Sequence, residues 1–316
     1  MFCLGHLSDL HATPVIIDSP NQLLNKRFFG WLSWRLRRRK VHRTAVLEAL
    51  IADLKEAAPD HLAVTGDLTN ISLAGEFAAA RVWLERLGSP RDVSIVPGNH
   101  DAYVGVPTSS SWNLWSEYWV SDAADSGLGA PFDADPREQF PTLRVRGPLA
   151  VVGLCSALPT PIADASGTLG DDQLDRLERM LSDLNDSDLC RVVSIHHPIS
   201  PGATHERREL RDAAALRSVL HRVGAELVIH GHNHRTLLAE IEGPNDAIPV
   251  VGVRSSSDVG REPHKRAQYH VYAFERIGGP GRPRFRIALR IRGYDPASGR
   301  FRAEGGQELV SGETSR

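Results

Sequence analysis

The chain has 316 residues, enough to bury a substantial hydrophobic core in one large domain or two small ones. Its hydrophobic content of 41% and charged content of 24% are typical of a soluble globular protein, and its net charge of −2 argues against a nucleic-acid partner. The three cysteines lie in apolar stretches, and the first residues lack the basic region of a signal peptide. We therefore expect reduced thiols and a cytoplasmic protein.

Short apolar runs alternate with helical patterns over the first three quarters of the chain, which predicts an α/β core with mostly parallel strands. The predicted strands are 2–8, 61–66, 92–96, 149–155, 190–195 and 226–230. The predicted helices are 42–57, 74–87, 171–184 and 211–223.

After His234 the pattern changes to strands joined by turns, with no long helix between them. The predicted strands are 236–242, 248–254, 268–276 and 284–293. A second, more antiparallel sheet is the simplest interpretation. We predict one domain over 1–295 with inserts at about 12–41 and 102–142, followed by a polar tail, 296–316, that is frayed from Glu304.

Potential metal ligands follow five of the predicted strands. The motifs are Asp9-Leu10-His11, Gly66-Asp67, Gly98-Asn99-His100-Asp101, His196-His197, and the segment HGHNH at 230–234. One histidine at a strand end is usually structural, but five such endings are not expected by chance. Open α/β sheets build their sites at these ends, so the sequence predicts a metal site.

In this order, the motifs resemble those of the calcineurin-like metallophosphoesterase family, from about residue 4 to 234. The resemblance implies two packed mixed β-sheets flanked by helices, and a dinuclear metal centre. It makes Asp9, His11 and His234 ligands of the first metal. It also makes Asn99, His196 and His232 ligands of the second metal, with Asp67 bridging the two.

The resemblance further implies that His100 is the catalytic histidine. We expect Asp101 to be catalytic with it by orienting its ring, although Asp101 could instead cap the following turn. Asn70 stands where many family members have aspartate. We expect Asn70, His197 and Trp112 to contact substrate, although His197 could instead support a metal ligand. His230 is expected only to end a buried strand.

The donor set also fits this chemistry without the family name. Mixed imidazole and carboxylate ligation favours two divalent Mn, Fe, Zn or Co ions. Two such ions bring +4, while Asp9, Asp67 and a bridging hydroxide bring −3, so about one positive charge remains for an anionic phosphoester. The bridging hydroxide is the expected nucleophile.

Three functions are compatible with these residues. The first is hydrolysis of small phosphodiesters, such as cyclic nucleotides or glycerophosphodiesters. The second is hydrolysis of lipid-linked phosphates or pyrophosphates, such as a nucleotide-sugar lipid, at a membrane surface. The third is a scaffold subunit, which the complete set of ligand residues disfavours.

The first insert contains aromatic and basic residues at 26–40, and Phe28, Leu32 and Leu36 align on one face of a helix. Trp112, Trp115 and Trp119 have similar spacing in the second insert. The inserts could pack on each other as a lid or form a homodimer contact. Residues 26–40 could instead touch an anionic membrane, with the protein peripheral to its inner face.

Overall fold

A computed structural model describes residues 1–122, 135–260, 262–277 and 284–310. Its strands are β1 Phe2–Leu7, β2 His61–Val64, β3 Val93–Ile95, β4 Thr142–Arg146, β5 Leu149–Gly153, β6 Cys190–Ser194, β7 Leu227–His230, β8 Leu237–Ile241, β9 Ile248–Gly252, β10 Gln268–Ile277, β11 Arg284–Asp295 and β12 Arg300–Val310. The predicted strands are confirmed apart from small shifts at their ends. Two strands were not predicted: β4, which follows the second insert, and β12, which lies in the predicted tail.

The helices are α1 Arg27–Ser33, α2 Arg39–Val41, α3 Thr44–Ala57, α4 Ala74–Leu87, α5 Ser116–Trp119, α6 Asp171–Asp183 and α7 Ala213–Val223. A π-helical turn, Trp34–Arg38, joins α1 to α2, and we call the continuous segment 27–41 the insert helix. Short 3₁₀ turns are Pro20–Leu23, Thr108–Ser110, Trp112–Trp115, Pro136–Gln139, Leu184–Asp186, Glu206–Arg208 and Pro263–Lys265. Among the described residues, no helix has the length and apolar character needed to span a bilayer.

The strands form two mixed sheets of six strands each. The first has the order β12-β11-β10-β1-β2-β3, and β1, β2 and β3 run parallel. The second has the order β4-β5-β6-β7-β9-β8, and β5, β6, β7 and β9 run parallel. The expected pair of packed mixed sheets is therefore present.

Two detailed expectations were wrong. The strands after His234 do not form a sheet of their own, because β8 and β9 extend the second sheet while β10 to β12 extend the first. Nor is the tail frayed from Glu304, since Arg300–Val310 pairs with β11. Residues 311–316 of the predicted tail lie outside the described residues.

Alternation of side chains along the strands creates three apolar layers. In β5, Val151 points into the layer between the two sheets, whereas Val152 packs under α6 and α7. α3 and α4 cover the outer face of the first sheet, with Leu47 and Phe77 fully buried. The sheets thus lie between helices, and the carboxyl ends of their parallel strands meet at one edge.

Candidate metal centre

The loops after five parallel strands converge at this edge. They contribute, in chain order, Asp9 and His11 after β1, Asp67 after β2, Asn99 and His100 after β3, His196 after β6, and His232 and His234 after β7. All are buried except His100 and His234, which are partly exposed. The structure therefore brings together the seven residues that the resemblance implied as metal ligands.

Asp9, His11 and His234 form one donor group, whose nitrogen and oxygen atoms lie within 4.8 Å of one another. Asp9 Oδ1 lies 3.1 Å from His234 Nε2 and 3.9 Å from His11 Nε2. These separations suit atoms that share one cation.

Asn99, His196 and His232 form a second donor group. Asn99 Oδ1 lies 3.1 Å from His196 Nε2 and 2.9 Å from His232 Nδ1, and the two ring nitrogens are 3.2 Å apart. Asp67 Oδ2 stands between the groups, 3.6 Å from His11 Nε2 and 3.5 Å from His196 Nε2. Its position is the one that a bridging carboxylate needs.

Backbone carbonyls orient two of the imidazole rings. His11 Nδ1 donates to the Thr69 carbonyl oxygen at 2.9 Å, and His196 Nδ1 donates to that of Thr65 at 2.6 Å. With the proton on Nδ1, each Nε2 presents its lone pair to the interior of the site. The rings are thus set as ligands before any ion arrives.

The ligand loops adopt a backbone conformation that side chains other than glycine rarely enter. The φ angles of Asp9, His11, Asp67, His232 and His234 lie between 43° and 69°. Such residues cost about 1 kcal/mol or more each and are typical of functional sites. Hydrogen bonds hold them, including Asp9 N–H to the Gly66 carbonyl at 2.9 Å and His232 N–H to Asp9 Oδ2 at 3.0 Å.

The electrostatics of the site fit bound cations. Asp9 Oδ1 and His11 Nε2 are buried and lack a hydrogen-bond partner among the described residues. Burial raises the pKa of Asp67 well above its ordinary value, and the nearby carboxylates of Asp9 and Asp101 raise it further. Burial lowers the pKa of His11, which keeps its ring neutral. Clustered carboxylates and neutral imidazoles are the state that divalent ions stabilise.

His100 lies beside the donor groups and is held on both edges. Its Nδ1 lies 2.5 Å from the Asn70 carbonyl oxygen, and its Nε2 lies 2.8 Å from Nη2 of Arg38. Its backbone N–H donates to Asp67 Oδ1 at 2.7 Å. The ring also stacks on Tyr103, with centroids 5.5 Å apart. The expected catalytic histidine therefore adjoins the bridging position.

Asp101 does not do what we expected of a catalytic residue. Its carboxylate accepts the backbone N–H groups of Asp67, Leu68, Thr69 and Gly98, at 2.9 to 3.3 Å, and the structure shows no contact with the His100 ring. It ties the loop after β2 to the loop after β3. We therefore reassign Asp101 as a positioning residue.

Asn70 and His197 were expected to contact substrate, but both are fully buried. The Asn70 amide donates to the carbonyl oxygens of His11 and Thr13, at 3.3 and 3.2 Å. His197 bonds Ser156 Oγ at 2.8 Å and the Ala165 carbonyl at 3.1 Å, and its ring packs on His232. In this structure both side chains support a ligand loop, and their contact with substrate stays a prediction.

Trp112 is buried as well, and its contact with substrate also stays a prediction. Its side chain is only 7% exposed and belongs to the core under the first sheet, together with Trp115 and Trp119. The indole N–H of Trp112 donates to the Asp101 carbonyl oxygen at 2.9 Å. These tryptophans do not face the first insert, which meets the second insert at Tyr103 instead.

A cleft of about 1130 Å³ opens onto the site beside His234. Its lining is rich in cations and histidines and contains two carboxylates, Asp258 and Glu262. The basic lining residues are Arg37, Arg38, Lys40, His42, His205, Arg208, His234, Arg235 and Lys265. A cleft of this size and charge suits an anionic molecule larger than inorganic phosphate.

Two residues at the site escaped the sequence analysis. Arg38 reaches His100 from the insert helix, and the His42 ring packs against His11 and His234, at 4.8 and 5.6 Å between centroids. Neither follows a predicted strand. The only signal was the dense run of cations from Arg35 to Lys40, which does not distinguish one arginine from another.

A sequence model of the family described as calcineurin-like phosphoesterase matches residues 4–236, which include all of the ligand motifs. The chain belongs to the calcineurin-like phosphoesterase family. Its buried histidine and aspartate groups provide donors of the kind that the family's dinuclear centre needs.

Individual relatives of this chain are distant. It is 27% identical over 192 residues to a Synechococcus protein described as a probable cyclic nucleotide phosphodiesterase. That match covers 60% of this chain and 64% of the relative, which is less than two thirds of the relative's length.

Two solved structures share the fold. A dimetal phosphatase from Danio rerio has a TM-score of 0.60 at 14% identity, covering 92% of this chain and 96% of that one. A purple acid phosphatase from yellow lupin has a TM-score of 0.57 at 11% identity, and the match covers 96% of this chain and 52% of the lupin chain. The sandwich of two sheets between helices is therefore the fold of metallophosphoesterases.

Proposed function

We propose that the enzyme hydrolyses phosphodiester bonds in small substrates such as cyclic nucleotides or glycerophosphodiesters. The observation that carries this proposal is the arrangement of His100 and Arg38 beside the two donor groups. A diester has an alkoxide leaving group, and its departure is helped by a proton or by a positive charge. Resemblance to the cyanobacterial relative supports the same substrate class.

Each group of the site has a distinct role in this proposal. The seven donor residues would hold two divalent ions, which supply a nucleophile from bound water and neutralise charge on the phosphate. His100 would protonate the leaving oxygen from Nε2 in its imidazolium form. In the neutral ring, whose Nδ1 proton goes to the Asn70 carbonyl, Nε2 accepts from Arg38. Arg38 offers two N–H groups in a fork that matches phosphate oxygens.

A substrate panel tests the proposal. Enzyme reconstituted with Mn²⁺ is assayed with a bis-aryl phosphate, the corresponding aryl phosphate, cyclic nucleotides and a glycerophosphodiester. We expect kcat/KM for the diesters to exceed that for the monoester by at least about tenfold if the site binds the transition state of diester hydrolysis preferentially. Faster turnover of the monoester would reject diester specificity while leaving the metal centre intact.

A second candidate is hydrolysis of lipid-linked phosphates or pyrophosphates, such as a nucleotide-sugar lipid, at a membrane surface. It is favoured by Leu36, which is 60% exposed and also lines the cleft. An amphiphilic substrate could place its phosphate in the cleft and its apolar part near this side chain. Turnover of a lipid-linked pyrophosphate in mixed micelles, well above that of every soluble diester, would favour this candidate.

A further inference from the structure

The insert helix has one face packed on the protein and another exposed to solvent. Trp31 and Trp34 pack on a cluster formed by Val15, Ile71 and Leu73. On the exposed face, Phe28, Phe29, Leu32 and Leu36 retain 43%, 52%, 37% and 60% of their accessible surface. The apolar side chains on the outer face therefore stay exposed even though the helix is packed on the protein.

Polar contacts also fix the start of this helix. Lys26 Nζ lies 3.1 Å from the Thr160 carbonyl oxygen and 2.9 Å from Thr160 Oγ1, and it stands over the Tyr103 ring. Arg27 Nε donates to the Ile71 carbonyl at 3.0 Å. Because both ends are held, by these bonds and by Arg38 at His100, the helix presents its apolar face in a defined orientation.

The same segment carries a concentration of positive charge. Between residues 19 and 47 the sequence has eight lysines and arginines and no acidic residue. Arg35, Arg37 and Arg39 are exposed, and no acidic partner for them occurs in the part of the chain that the structure describes. Elsewhere, exposed arginines such as Arg86 and Arg222 pair with glutamates.

We propose that this face, formed by Phe28, Phe29, Leu32 and Leu36 and flanked by Arg35, Arg37 and Arg39, docks on an anionic lipid bilayer. Aromatic and aliphatic side chains enter the boundary between headgroups and acyl chains, and the arginines bind the anionic headgroups. A protein partner would need to supply acidic side chains around an apolar groove, whereas an anionic bilayer offers both features over any area.

The position of the face gives docking a consequence for catalysis. Leu36 and Arg37 of this face, together with Lys40, also line the cleft that opens onto the metal centre. A docked enzyme would hold the cleft entrance near the headgroups. Docking would favour the second candidate function, in which the substrate is linked to a lipid. The docking proposal itself does not depend on which phosphoester the enzyme hydrolyses.

Sedimentation with vesicles tests the docking proposal. At low salt, the wild type should pellet with vesicles of phosphatidylcholine and phosphatidylglycerol and should remain in the supernatant with phosphatidylcholine alone. Phe28→Glu with Leu32→Glu should abolish pelleting. Arg35→Gln with Arg39→Gln should weaken it and reduce its dependence on salt.

The matched control is Val82→Glu with Leu238→Glu, which places two acids at exposed apolar positions outside the insert helix. It should pellet like the wild type. All variants should keep the wild-type rate with a soluble bis-aryl phosphate, so a docking failure is distinguished from a failure of the proposed activity. The proposal is overturned if the wild type stays in the supernatant, or if Phe28→Glu with Leu32→Glu pellets normally. It is also overturned if the wild type is a dimer that this variant dissociates.

Discussion

The Arg38 guanidinium contacts the His100 imidazole, with Nη2 at 2.8 Å from Nε2 and Nη1 at 3.1 Å from Nδ1. The Asn70 carbonyl already accepts the Nδ1 proton, so Arg38 donates to the Nε2 lone pair. In this neutral ring Nε2 carries no proton, so protonation of a leaving group would need the imidazolium form. Arg38 therefore fixes the ring and places a permanent positive charge where phosphate charge accumulates.

Arg38→Ala should lower kcat/KM by about 10- to 100-fold, the effect of losing a hydrogen bond from a charged donor. The inhibition constant of inorganic phosphate should rise, while the metal content stays unchanged. Arg39→Ala is the control, since Arg39 is exposed and does not line the cleft. Unaltered phosphate inhibition in Arg38→Ala would show that Arg38 does not bind phosphate.

The strand-end motifs predicted the metal centre because parallel strands bring their carboxyl ends to one edge. The same rule could not find Arg38, since its neighbours in the arginine run look identical in the sequence. Nor could spacing place Trp112, because i, i+3, i+7 periodicity is the same for a core face and a substrate face. The sequence also could not predict that β10 joins the first sheet, because an antiparallel strand can pair with the edge of either sheet.

His100→Asn should retain the metals but lower turnover by about 10²- to 10⁴-fold if the ring transfers a proton. The loss should shrink as the leaving group improves, since a good leaving group departs without a proton. A series of aryl diesters with graded phenol acidity measures this dependence. An equal loss across the series would instead assign His100 to electrostatic stabilisation.

Asp67→Ala should remove activity and lower metal content, because Asp67 Oδ2 stands between both donor groups. Metal analysis should give about two ions per wild-type chain and substantially fewer for the variant. The control Asp175→Ala changes an exposed carboxylate on α6 and should keep both ions. A fully active preparation shown to be metal-free would contradict the assignment of the whole site.

Asp101→Asn should lower the free energy of unfolding by about 3 kcal/mol, because an amide N–H₂ would face backbone N–H donors that the carboxylate now satisfies. Denaturant unfolding of the chelated protein measures the effect without contributions from bound ions. A variant of normal stability with an altered pH–rate profile would return Asp101 to a catalytic role.

His61 should make the protein less stable in acid. Burial, together with the nearby positive charges of Arg146 and Arg144, lowers its pKa to about 3. Between this value and about 6.5, the unfolded chain binds a proton that the folded chain does not. Stability should therefore fall as pH falls through this window, by at most about 1.4 kcal/mol per pH unit from this residue.

Urea unfolding of His61→Gln between these limits should give a pH slope smaller by about one proton. His221→Gln, at an exposed position on α7, is the control. If the dependence of stability on pH is the same in His61→Gln and in the wild type, His61 is protonated in the folded protein. Burial would then not lower its pKa.

The ligand loops come from both sheets, three from the first and two from the second. Between these sheets, the interior layer consists of apolar side chains such as Leu4, Val151 and Ile229, which resist separation but oppose sliding only weakly. Asp67 follows a strand of the first sheet and His196 follows a strand of the second. Ions bound by both residues would therefore cross-link the two sheets. Metal binding should therefore make the two sheets unfold as one cooperative unit. The amide protons of β2 and β6 should then exchange with solvent in the same opening event.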